Sequence, residues 1–61
     1  MKTKTEPLYP VGIAAIHKYE QKRGRLVTAK WSKESGWWYE IRYADGFQRA
    51  VPETDIVPTE D

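Results

Sequence analysis

The chain has 61 residues, with ten Lys or Arg against nine Asp or Glu, three Trp, four Tyr, one Phe, one His and no Cys. That length holds one domain, which buries only about 60% of the surface its unfolded chain exposes and is marginally stable. Disulfides and thiolate metal sites are excluded by the missing Cys, and an all-histidine metal site within one chain by the single His. No apolar run nears the ~20 residues needed to span a bilayer.

The expected elements follow in chain order. Residues 1–8 are polar and read as a flexible N-terminal tail. No apolar h-region follows Met1-Lys2-Thr3-Lys4-Thr5-Glu6, so no signal peptide is expected and the expected location is the cytoplasm. A first strand is predicted over Ile13–His17, where Pro10 and Gly12 disfavour helix. Lys18–Gly24 is a charged loop. A second strand is predicted over Arg25–Ser32. Leu26 and Thr28 share one face and Val27, Ala29 and Trp31 the other, so this strand is expected to bend. Lys33-Glu34-Ser35-Gly36 forms a turn.

The most legible stretch is Trp37–Tyr43. Trp37, Tyr39, Ile41 and Tyr43 alternate with Trp38, Glu40 and Arg42, a period of two in β-favouring residues, so the first set faces a core. Asp45-Gly46 marks a hairpin, because Gly accepts positive φ without steric cost. Phe47–Val51 returns as the partner strand, and Pro52 stops it. Glu53-Thr54-Asp55 suits one 3₁₀ turn. Ile56-Val57 closes the fold before Pro58, leaving 59–61 as a C-terminal tail. The fold class is all-β, and five short strands favour a small closed barrel spanning 9–58. Its core takes Leu26, Tyr39, Ile41, Tyr43, Val51, Ile56 and part of the stretch from Ile13 to Ile16.

Charge is divided along the chain. Residues 1–33 hold eight of the basic side chains and two acids, whereas residues 34–61 hold two basic side chains and seven acids. Either the halves interleave and neutralise each other, or a basic loop meets an anion.

Three blocks carry a family resemblance: Gly24-Arg25-Leu26-Val27, Tyr39-Glu40-Ile41-Arg42-Tyr43-Ala44-Asp45-Gly46, and Val51-Pro52-Glu53-Thr54-Asp55-Ile56-Val57-Pro58. Their order resembles the SH3-like barrels, and within them the Tudor-like group. Val11-Gly12 followed by His17-Lys18 also resembles the start of the Tudor-like domains that end some bacterial helicases, although the loop after His17 lacks their further Gly. The resemblance implies a five-stranded barrel with a short 3₁₀ turn before its last strand. It also implies a rim where aromatic residues can cage a methylated Lys or Arg.

Enzyme signatures are lacking. There is no Gly-rich phosphate cradle, no G-x-S-x-G and no H-E-x-x-H, His17 has no Cys partner, and Ser32 and Ser35 lie in a turn with no base beside them in sequence. One enzymatic alternative rests on resemblance. A plasmid-borne type of dihydrofolate reductase is an SH3-like barrel with its site in a tetramer pore. Gln48 takes the position of that enzyme's glutamine, but Arg49-Ala50 stand where Ile-Tyr is expected. The expectation is therefore a non-enzymatic binding module without cofactor or metal, a monomer or weak homo-oligomer that does not engage membranes. Tyr19, Trp31, Trp38 and Phe47 have weaker claims on the interior. With Lys22, Arg23 and Arg25 they form the candidate ligand surface. The expected partner is a peptide, by cation–π attraction, or a nucleic acid, by stacking and phosphate contacts. A structural alternative is that Trp31 and Trp38 only cover a thin barrel.

Overall fold

The computed structural model describes residues 3–59; the outermost positions of the two expected tails, 1–2 and 60–61, lie outside them. Five strands form one antiparallel sheet: β1 (Ala14–His17), β2 (Arg23–Ser32), β3 (Gly36–Tyr43), β4 (Gln48–Pro52) and β5 (Ile56–Pro58). A 3₁₀ turn, η1 (Glu53–Asp55), joins β4 to β5, and there is no α-helix among the described residues. Accordingly, none of them forms a helix long and apolar enough to cross a membrane.

The strand order is β4-β3-β2-β1-β5. The end strands β4 and β5 are consecutive in the chain, and among the described residues no ladder joins them to close the expected barrel. The core is the predicted one. Leu26, Tyr39, Ile41, Tyr43, Val51 and Ile56 are buried together with Ala15, and Tyr9, Ile13, Ala29 and Trp37 pack against them.

The bend expected in β2 is a bulge. Leu26 pairs with Ile41, but Thr28 pairs with Glu40, so Val27 is the extra residue. One inserted residue reverses the phase. Leu26 faces the core before the bulge, and Ala29 and Trp31 share the face of Tyr39 and Trp37 after it. This explains why both faces of β2 look apolar in sequence.

Several boundaries differ from expectation: β1 begins at Ala14 rather than Ile13, β3 begins at Gly36 rather than Trp37, and β5 runs on through Pro58. β2 begins at Arg23, not Arg25, because Arg23 and Gly24 pair with Ile16 and Ala15. β4 is Gln48–Pro52 rather than Phe47–Val51. Pro52 fits within it because β4 is an end strand, where a missing N–H costs no ladder on the open side. The β3–β4 turn centres on Ala44-Asp45, not Asp45-Gly46. The Gly46 amide donates to the Tyr43 carbonyl at 2.9 Å, the Tyr43 amide donates to the Phe47 carbonyl at 2.8 Å, and Gly46 follows with φ +90°. That is a three-residue loop with a G1-type bulge, so Gly46 still supplies the positive φ.

Candidate functional site

The β1–β2 loop, residues 18–22, is organised by the buried His17. Its Nδ1 accepts from the Tyr19 amide at 3.2 Å and the Glu20 amide at 3.1 Å, which places any proton of the neutral ring on Nε2. Gln21 completes the turn at φ +58°, and its amide donates to the His17 carbonyl at 2.8 Å. Tyr19 is thereby held out in solvent, 70% exposed, with Lys18 Nζ 5.5 Å from its ring centre.

Lys22 turns toward the β3–β4 side. Its Nζ lies 4.4 Å from the Tyr43 ring centre and 3.5 Å from Asp45 Oδ2. Phe47, 61% exposed, stacks parallel to Tyr43 at 6.5 Å. Glu20 pairs with Arg49 and accepts from the Tyr43 hydroxyl at 3.3 Å. Partial desolvation tends to raise the Glu20 pKa, but Arg49 and the Tyr43 hydroxyl outweigh it and hold the carboxyl below its usual value. Asp45 is also lowered, chiefly by the Phe47 amide that donates to its Oδ1 at 3.0 Å, with help from Lys22. Tyr43 is raised, first by burial and then by Glu20. Part of the positive charge expected to meet an anion is thus matched within the chain.

A second cationic surface lies on the outer face of the sheet. Arg25 of β2 sits directly across from Arg42 of β3, and Arg23 lies two residues along on the same face as Arg25. The three arginines line a groove of about 480 Å³ together with Ala14, Gly24 and Val27. Arg25 Nη1 donates to the Gly12 carbonyl at 2.6 Å, which directs that side chain along the sheet. With its amide oxygen turned to Arg42, Gln48 accepts from Nη2 at 2.9 Å and from Nε at 3.1 Å. Arg42 was not among the residues singled out from sequence. Its alternation placed it on the solvent face, but its partner across the ladder depends on the register that Val27 shifts.

The seven sequence-derived residues fall into two groups. Tyr19, Lys22, Arg23, Arg25 and Phe47 belong to the end of the sheet with the β1–β2 loop and the β3–β4 turn. Trp31 and Trp38 lie roughly 20 Å away at ~3.3 Å per residue along β2 and β3. Those two rings do not share a surface. Trp31 pairs with Trp37 on the core side, edge-on at 5.5 Å, whereas Trp38 pairs with Lys30 on the opposite face and donates Nε1 to Ser35 Oγ at 2.8 Å. Comparison with protein-family models, with curated proteins and with solved structures returned no match.

Proposed function

We propose that this chain is a non-enzymatic binding module of SH3-like, Tudor-like architecture that engages single-stranded nucleic acid through the arginine-lined groove. The strand order and the single 3₁₀ turn before the last strand support that architecture. The observation that carries the functional reading is the facing of Arg25 and Arg42, with Arg23 beside them, along one groove. A phosphate lying along the groove would accept charge-assisted hydrogen bonds from these guanidiniums. Tyr19 and Phe47, exposed at the same end, offer π-faces for bases.

The test is anisotropy titration with labelled single-stranded DNA, single-stranded RNA and duplex at two salt concentrations. Single strands are expected to bind best, with log affinity falling against log salt at about −0.7 per phosphate contact. Arg42→Glu, and separately the pair Lys22→Glu and Arg23→Glu, are expected to lower affinity by about tenfold or more with little change in melting temperature. Absent or salt-independent binding overturns the reading. Equal affinity for an acidic peptide, insensitive to Tyr19→Ala, replaces nucleic acid with an acidic protein partner.

A further inference from the structure

At the other end of the β2–β3 hairpin, the N-terminal segment is seated in an aromatic groove. Trp37 Nε1 donates to the Thr5 carbonyl at 2.7 Å, and Lys4 Nζ lies 6.0 Å from the Trp37 ring centre. The Leu8 amide donates to Glu53 Oε2 at 3.0 Å. The Tyr9 amide donates to the Tyr39 hydroxyl at 3.3 Å, and the two tyrosine rings are 5.9 Å apart. A cavity of about 330 Å³ remains beside the segment, lined by Trp31, Trp37, Pro52 and Glu53 along with Thr3 and Thr5.

These contacts share a character. Residues 3–8 are exposed, so burial of their side chains does not explain why the segment lies there. The groove touches main-chain groups at Thr5 and Leu8, and a cation at Lys4. An indole donor, a carboxylate acceptor and an aromatic face for an ammonium are the elements that read an extended, lysine-bearing peptide. We infer that the Trp31–Trp37–Glu53 groove is a binding site for an extended peptide carrying a lysine, and that residues 3–8 fill it in cis. The half-buried Tyr9 and the following Pro10 keep the tether short, so the cis segment competes at high effective concentration. An incoming peptide must displace it. The site is separate from the arginine groove and does not depend on nucleic-acid binding.

The test uses the full chain with Thr3, Lys4, Thr5 and Glu6 each replaced by Gly, which loosens the cis segment without shortening it. The probe is the peptide Thr-Lys-Thr-Glu-Pro-Leu-Tyr, followed through the tryptophan indole N–H resonances. Addition is expected to move the Trp37 resonance of the variant back toward its wild-type position and to leave that of Trp38 in place. Wild type is expected to bind the peptide about tenfold more weakly, because only the fraction with an open groove is competent. A peptide with its lysine changed to glutamate is expected to lose about fivefold. A folded variant whose Trp37 resonance ignores the peptide overturns the inference, as does equal binding of the glutamate peptide. If the tetraglycine chain does not fold, Lys4→Glu serves. This exposed single change is expected to strengthen binding severalfold over wild type, and no difference between the two overturns the cis assignment. A concentration-dependent wild-type dimer that the peptide dissolves overturns it too, because the segment would then belong to a second copy.

Discussion

At Gly24 the backbones of β2 and β3 leave no room for a side chain. A Cβ there would stand 2.5 Å from the Arg42 carbonyl oxygen and 2.9 Å from Ile41 Cγ1. The obstacle is space, and the nearest atom belongs to a backbone that the sheet holds in place. Gly24→Ala is therefore expected to cost ~1–3 kcal/mol by overpacking, read as a lower melting temperature. An unchanged melt would mean that the two strands part easily. Gln21 presents the opposite case. It is exposed, yet its φ of +58° belongs to the left-handed region that burdens an L side chain. Gln21→Gly is expected to hold or raise stability by up to ~1 kcal/mol, which is about 4–8 °C in a domain this small. A clear loss would show that the Gln21 side chain, which donates to the Lys18 carbonyl at 3.3 Å, matters more than its backbone.

The elements are set by a few local devices. In the β3–β4 hairpin, Gly46 carries the positive φ with no heavy atom within 4 Å of where a Cβ would stand. The cost of a side chain there is purely conformational. Gly46→Ala is expected to lose ~1–2 kcal/mol in denaturant titration. Asp45→Asn is expected to be nearly silent, because the amide oxygen still accepts from the Phe47 amide and only the exposed pairing with Lys22 is lost. Equal tolerance of both changes would place the turn elsewhere. In β2 the bulge at Val27 has the larger consequence. It turns Trp31 toward Trp37 and the N-terminal segment, while Arg23 and Arg25, before the bulge, stay on the outer face.

For the whole molecule, a hydrogen-bond chain joins the N-terminal segment to the core. The Tyr39 hydroxyl donates to Glu53 Oε2 at 2.6 Å, and the same oxygen accepts from Leu8. Burial, aided by Glu53, pushes the Tyr39 phenol up to about 12 from its ordinary value of 10.0. The folded state thus prefers the protonated phenol. The stability this contributes is fully present below pH 10 and is lost as pH rises toward 12. Tyr43 shifts in the same direction. Denaturant midpoints measured from pH 8 upward are expected to fall steeply through that window, and Tyr39→Phe is expected to flatten the decline. On the acid side, Glu20 and Asp45 are lowered, so their contributions are present above their unfolded values and fade as pH falls through the folded ones.

The period of two from Trp37 to Tyr43 was enough to orient β3, since alternation is a property of one strand and needs no partner. The Asp45-Gly46 signal located a hairpin to within one residue, and Glu53-Thr54-Asp55 announced the 3₁₀ turn, because each depends on neighbours a few positions away. Pairing is different in kind. Whether Arg25 faces Arg42 depends on the register of two strands and on one extra residue between them, which no single segment encodes. The same holds for the division of Trp31 from Trp38. Both are aromatic residues in strands, yet the bulge and the alternation of β3 put them on opposite faces. The seating of Lys4 and Thr5 on Trp37 joins positions 32 residues apart at the Thr5 contact. A polar tail carries no local pattern that names its site, so only the folded sheet, by bringing Trp31, Trp37 and Glu53 to one end, decided where it lies.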